Sequence, residues 1–460
     1  MSQNPFLPAL LALFLLSCFS GCASAPVVMG DGKIESSLED ITGVTTSDVE
    51  KASQQKEMGF WDVYTLAVER TERLGTKAED IEQAQGQEQQ AIASVLPQIS
   101  LKAEKDWQSG SYIYGAPNTF ASPPGSSLYL SGTENIFTGL DQVAALQGAG
   151  ALKNQNQHLL RQEGRDLLLS LARSFYSVLQ LENSLQSKQE TEKLNEQILK
   201  QEQDWRAVGR SRNSDVLTTE AQLAQLKGDM EALHSQISIA RDNFVILSGL
   251  DTNQVLKSEE PLPTPPPYSF AEAVAKVDSR SDVLAAKAGV ELAEASLLQA
   301  HGQHLPTLSV GGKYYLEQEG GGGTPDWNVS LLASLPLFEG GGILAAERVA
   351  ASKKRQAEFQ YSLARRQALQ DIRGAYSALA TSLREVDAYG KALDAAQKEY
   401  DAVAKDRKLA LNTNLDVLQS LTQLQTAQNN YNVAHYQTLI NSIWLGVATG
   451  ELPKTQRTKP

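Results

Sequence analysis

The sequence predicts a mainly α-helical chain built as two tandem repeats, each interrupted by a pair of short amphipathic strands. Three observations predict it. First, motifs recur in the same order about two hundred residues apart, and internal repetition of this kind decides architecture before any single residue does. Val95-Leu96-Pro97-Gln98-Ile99-Ser100 returns as His304-Leu305-Pro306-Thr307-Leu308-Ser309. Asn135-Ile136-Phe137-Thr138-Gly139 returns as Leu335-Pro336-Leu337-Phe338-Glu339-Gly340-Gly341, and Asp215-Val216-Leu217 returns as Asp416-Val417-Leu418. Second, no proline interrupts Gly139 to Val208 or Gly342 to Leu411. Third, the residues that follow each Leu-Pro pair alternate apolar and polar, the period of a strand.

The elements can be taken in chain order. Residues Leu7 to Leu16 are nearly all apolar, the length of a secretory leader core and too short to span a bilayer as a helix. The two cysteines, Cys18 and Cys22, follow at once. Phe19-Ser20-Gly21-Cys22 resembles a bacterial lipobox, and Leu15-Leu16-Ser17-Cys18 competes with it. Cys22 is the expected acylation site, since small residues flank it; Cys18 is the alternative. Acyl chains such as palmitate tether but do not span. The expected organisation is a signal peptide over 1–21, a lipidated irregular arm over 22–59, a first repeat over 60–260 and a Pro-rich linker over 261–268. A second repeat follows over 269–452, with a tail over 453–460.

Each repeat opens on a polar helical segment, Phe60 to Ser94 and Phe270 to His301. Pro97 and Pro306 then push the preceding residue out of helical conformation. Strands are expected near 98–107, 127–137, 307–317 and 327–338. Ile99, Leu101, Ala103 and Trp107 oppose Ser100, Lys102, Glu104 and Asp106. Trp327, Val329, Leu331, Ala333 and Leu335 oppose Asn328, Ser330 and Ser334. Gly139 and Gly340 mark sharp turns from strand to helix. The long segments carry a three-four seam, through Leu369, Ile372, Tyr376, Leu379, Leu383 and Val386 in the second half. Leu167, Leu171, Phe175, Val178 and Leu185 form the first-half version. A helix of about 70 residues is about 100 Å long and must pack laterally on its like. Each breaks at a tip, around Gly209-Arg210-Ser211-Arg212 and Leu411-Asn412-Thr413-Asn414, and a second helix returns.

The strands set the functional reading. Segments of about ten residues with apolar-out, polar-in alternation fit outer-membrane strands. The same pattern fits a soluble hairpin, but here it interrupts helices far too long for a globular sheet protein. Four strands cannot close a barrel, and an open edge in lipid leaves backbone groups unpaired. A membrane location therefore requires several chains to share one barrel.

The paired Leu-Pro-x-(Leu/Ile)-Ser starts, the Phe-x-Gly exits, the Asp-Val-Leu tips and the twofold order resemble the TolC-like outer-membrane efflux family, from Phe60 to Leu452. The Cys22 reading matches its lipidated branch. The resemblance implies a homotrimer whose twelve-stranded barrel continues as a helical tunnel into the periplasm. It further implies docking to a periplasmic adaptor protein and an inner-membrane transporter. It places an aperture at the helix tips, with Asp215, Asp416, Gly209, Arg210, Arg212 and Asn412 as candidates. As N-terminal residues of returning helices, Asp215 and Asp416 also suit the positive end of the helix dipole. At the second tip the family glycine is Ala410, its basic residue is Asn412, and Gln419 stands three after Asp416. Those departures remove the residues of a salt-bridged latch there.

A net charge of -13 argues against nucleic acid as a partner. No catalytic constellation, cofactor motif or metal site stands out. His301 and His304 lack a third ligand nearby in sequence and read as solvated surface. Gly320 to Gly323 lacks the Lys-Ser/Thr of a phosphate loop. The expected function is a passive export conduit for drugs or toxic solutes in the outer membrane, not an enzyme. A type I secretion exit duct of the same family and a periplasmic coiled-coil scaffold lipoprotein are the alternatives.

Overall fold

The computed structural model describes residues 42, 44–105, 107, 126–258, 261–263, 269–318, 326–409 and 411–450. The leader, Cys18, Cys22, most of the linker, the Gly320 to Gly323 run, Ala410 and the tail lie outside the described residues. The first repeat runs α1 (Thr46–Ser53), β1 (Glu57–Met58), α2 (Phe60–Arg70), α3 (Glu72–Ala93), β2 (Gln98–Lys105), β3 (Ser126–Thr138), α4 (Asp141–Ala207), α5 (Asn213–Ser248) and β4 (Val255–Leu256). The second runs α6 (Phe270–Ala275), a 3-10 turn (Val277–Ser279), α7 (Ser281–Gly302), β5 (Thr307–Gln318), β6 (Trp327–Ser334), α8 (Gly342–Lys408) and α9 (Asn414–Ala448).

The duplication is metric as well as textual. Helices α3 and α7 each have 22 residues, α4 and α8 each have 67, and α5 and α9 have 36 and 35. At 1.5 Å per residue, α4 and α8 are each about 100 Å long. The arm is not wholly irregular. Thr45 and Asp48 cap α1, and Val49 and Ala52 pack into the core beside α2. Strand β6 stops at Ser334, short of the expected 338, because Pro336 has no N–H to donate and restrains Leu335. Strand β2 ends at Lys105, before Trp107.

The long-helix seam keeps the predicted Ile372, Leu379 and Val386 and shifts by one residue at the other three positions. In α8 the buried positions are Ala368, Ile372, Ala375, Leu379, Ser382 and Val386. Leu369, Tyr376 and Leu383 flank this line and are half-buried. Small side chains let the helix axes approach, and the larger flanking residues cover the joint. In α4, Leu167, Leu171, Phe175 and Val178 are all buried, whereas Leu185 is half-buried.

The main core is a collar part-way along the helices. Phe60 of α2 stacks on Tyr176 and meets Phe175 edge-on, and Phe244 of α5 and Tyr436 of α9 close the cluster. Each such side chain contributes about 1.5–3 kcal/mol of burial. A smaller cluster joins α6, α7, α8 and the end of α9. Arg280 donates to the Ala448 carbonyl and Arg165 to that of Gly450. Two cations thus stand at the negative end of α9.

Four strands form one antiparallel sheet in the order β2-β3-β5-β6. Its link to the helices is tight at one place. The backbones of Gly139 and Gly302 touch, so a Cβ on Gly302 would lie 1.7 Å from the Gly139 carbonyl oxygen. Gly139 and Leu140 both take left-handed backbone, with φ of 63° and 71°; Gly340 and Gly341 do so in the second copy. For Leu140 that conformation costs about 1–2 kcal/mol.

Candidate functional site

Two regions are the candidates for function: the paired helix tips and the sheet. At the first tip α4 ends at Ala207, and Gly209 supplies the left-handed turn at φ 76°. The Arg210 N–H donates to the Trp205 carbonyl at 2.8 Å, closing the helix end. Helix α5 then starts with a weak cap, Arg212 N–H to Asp215 Oδ2 at 3.4 Å. The second tip has a full reciprocal cap. Asp416 Oδ2 accepts from the Thr413 N–H at 2.8 Å and its hydroxyl at 2.6 Å, and Thr413 Oγ1 accepts from the Asp416 N–H at 3.3 Å. Those Thr413 hydrogen bonds, helped by Arg407, hold the Asp416 carboxyl below the usual carboxylate range.

The tips are bound to each other by residues that local sequence did not single out as partners. Glu202 of α4 is 1% exposed. Arg407 of α8 reaches it through Nη2 at 2.7 Å and Nε at 3.2 Å. The same guanidinium donates to the Asn412 carbonyl at 3.0 Å and lies 4.7 Å from the centre of the Trp205 ring. Ser211 donates its hydroxyl to Glu202 as well. On the other side, buried Asn414 donates to the Asp215 carbonyl at 3.1 Å and to Thr219 Oγ1 at 3.0 Å. Arg407 stands in the last turn of α8, where a cation also complements the helix end. Glu202 had no local signal, because its partner is far along the chain. A salt bridge therefore spans the tips despite the departures at Ala410, Asn412 and Gln419, and Asn412 takes part through its carbonyl alone. Arg210 and Arg212 are exposed and stand apart from this pair.

In the sheet, strand register builds two chemically distinct faces. Leu101, Leu130, Tyr314 and Trp327 align across all four strands on one face. Ser100, Ser131, Lys313 and Asn328 align on the other. On that polar face Ser100 and Ser131 hydroxyls meet at 2.7 Å, and Lys313 Nζ stands 4.7 Å from the centre of the Tyr129 ring. Leu332 is an apolar exception there, opposite Ser309. Both edge strands, β2 and β6, are exposed along their full length. No described helix is long and apolar enough to cross a membrane.

The outer membrane efflux protein family model matches residues 63–249 and 276–451. The chain belongs to that family. It is similar to TolC of Escherichia coli, 24% identical over 90% of this chain and 86% of that protein. BepC of Brucella suis, named an outer membrane efflux protein, is 26% identical over 54% of this chain and 55% of that one. Among solved structures, the outer-membrane protein VceC of Vibrio cholerae superposes with a TM-score of 0.75 at 18% identity, covering 85% of this chain and 96% of that chain. CmeC of Campylobacter jejuni, an outer-membrane channel, gives 0.77 at 16%, covering 86% and 87%. The fold is thus the mainly α TolC-like architecture, and the protein is an outer-membrane efflux channel component.

Proposed function

We propose that three copies of this chain close a twelve-stranded barrel in the outer membrane and continue it as a water-filled helical duct. The observation that carries this is the open sheet. One face is apolar, and its two edges have equal length, eight residues each, with opposite strand direction. In lipid each unpaired backbone group costs several kcal/mol. Pairing β6 of one copy with β2 of the next removes every edge. A soluble scaffold would leave the apolar face uncovered. Cysteines placed at Leu101 and Leu331 test the seam: they should yield disulfide-linked trimers, and a product confined to monomer would reject the closure.

The duct's driving partners are an adaptor protein in the periplasm and an inner-membrane transporter, meeting it at the tips. The Arg407–Glu202 pair holds the two hairpins of each chain together in the resting aperture, with Asp416 beside it. Passage is passive, and no catalytic step is involved. Drugs or other toxic solutes are the cargo class.

Acylated Cys22 adds a second tether. The 22 residues from Cys22 to Val44 can extend about 75 Å. The collar that receives α1 sits near Phe175, 34 residues along α4, or about 50 Å from the sheet. A lipid on Cys22 thus reaches the bilayer from the collar. Cys22→Ser should abolish metabolic palmitate labelling, and retained labelling would move the anchor to Cys18.

A further inference from the structure

We propose that Lys102, Lys313, Tyr129 and Tyr315 line the passage as a selectivity ring for aromatic anions, the carboxylates and sulfonates among the cargo. The ring rests on the barrel reading above, in which three sheets close with their polar faces inward. It adds a substrate class and the side chains that recognise it.

Register assembles the cluster. Lys102, Tyr129 and Tyr315 are partners in one row across β2, β3 and β5. Lys313 stands in the next row of the same face, two residues or about 7 Å along the strand. Its ammonium, 4.7 Å from the centre of the Tyr129 ring, lies within cation–π range. The Tyr129 and Tyr315 rings meet with centroids 5.3 Å apart. Tyr129 is 6% exposed and forms the fixed floor of the cluster. Lys102 and Lys313 are exposed above it, and Tyr315 is half-buried. Nearer the helices this face loses its charge: the row after Lys313 holds Gln98, Thr133, Gly311 and Ser330.

The whole chain carries a net charge of -13. This level of the polar face runs the other way, with two lysines against one carboxylate, Glu104. Tyr129 donates its hydroxyl to Glu104 at 3.3 Å. Among the described residues no carboxylate pairs with either lysine. Barrels of about eight strands are filled by side chains, and those of about sixteen leave an open channel. At twelve strands, long side chains define the free cross-section, and low-dielectric walls strengthen their field. An aromatic anion meets both parts of the cluster, an ammonium for its charge and a phenol ring for its plane. An aliphatic anion finds the charge alone, and a cation is repelled.

The test uses full-length protein in planar bilayers, with naphthalene disulfonate as the probe and butane disulfonate beside it. The naphthalene probe should block the parent channel at lower concentration than the butane one. In Lys102→Gln/Lys313→Gln the block should weaken about tenfold, and the reversal potential in a salt gradient should shift toward cations. Lys102→Arg/Lys313→Arg should keep the block, and Tyr315→Leu should lose the preference between the probes. Trimer migration on gels shows that each variant assembles. Equal block of the parent and the glutamine variant, or equal block by the two probes in the parent, would overturn the ring and leave the barrel standing. A parent that forms no channel would overturn the barrel and the ring with it.

Discussion

The two repeats have nearly the same helices and strands but not the same neighbours. The strand-to-helix turn of the first, at Gly139, is pressed against Gly302 of the second. A Cβ added at the corresponding Gly340 would meet nothing within 4 Å. Likewise α4 packs between α3 and α7, whereas α8 packs on α7 and leaves Leu344, Val349, Phe359 and Leu363 exposed. The difference teaches where the unsatisfied surface lies. One seam of the pseudo-symmetric pair is filled inside the chain; in the proposed trimer the other would take α3 of a second copy.

Four tests break or sharpen that comparison, from the largest expected effect down. Gly302→Ala should prevent a native fold, because backbone stands where the methyl must go, at a cost above about 4 kcal/mol. Gly340→Ala should cost only about 1–2 kcal/mol, the strain of its φ of 61°. Heat-modifiable migration on gels reads both, and equal outcomes would sink the asymmetry. Next, Arg407→Met strands a buried carboxylate, a loss of about 3–5 kcal/mol, while Arg407→Met with Glu202→Met should recover much of it. Hydrogen exchange at the tips measures this, and single-channel recording should show a raised resting conductance for the single variant.

Third, Phe359→Glu should weaken the trimer while leaving the helical content of the monomer intact, because Phe359 is 72% exposed within one chain. Sedimentation in detergent gives the answer, and an unchanged trimer would locate the seam elsewhere. The smallest effect is at the caps. Asp416→Ala should fray the start of α9 more than Asp215→Ala frays α5, since only the second tip has the reciprocal cap. Hydrogen exchange compares the two ends. The Asp416 carboxyl is depressed in the folded state, so its contribution is present above the ordinary carboxylate range and is lost as pH falls through the lower folded value. If Asp416→Ala leaves conductance and cation preference unchanged in planar bilayers, its part in the aperture is structural alone.

Much of the fold was legible because prolines and glycines punctuate it. Pro97 and Pro306 separate helix from strand, and the Phe-x-Gly exits return strand to helix. The alternation through Ile99 and Leu101, or Trp327 and Val329, gave the sheet its two faces. The exact seam of α8 was not legible. Hydropathy weights Leu369 and Tyr376, whereas close packing selects Ala368 and Ala375. Helix α1 was missed because its eight residues carry little periodicity, and tertiary contact at Val49 and Ala52 holds it. The candidate site was half legible. Asp215 and Asp416 announce themselves as helix starts, but Glu202 and Arg407 lie 205 positions apart and become partners only through the fold.

Equal arms impose a constraint on how such a chain can change length. With 67 residues in both α4 and α8, the two turns that Arg407 and Asn414 fasten arrive at one level. Seven extra residues in α4 alone would lower its end by about 10 Å and slide Glu202 out of reach. A longer or shorter tube is accessible only through matched insertions or deletions in both copies, in outgoing and returning helices together. Reach across the periplasm is therefore inherited in whole-heptad steps, taken twice.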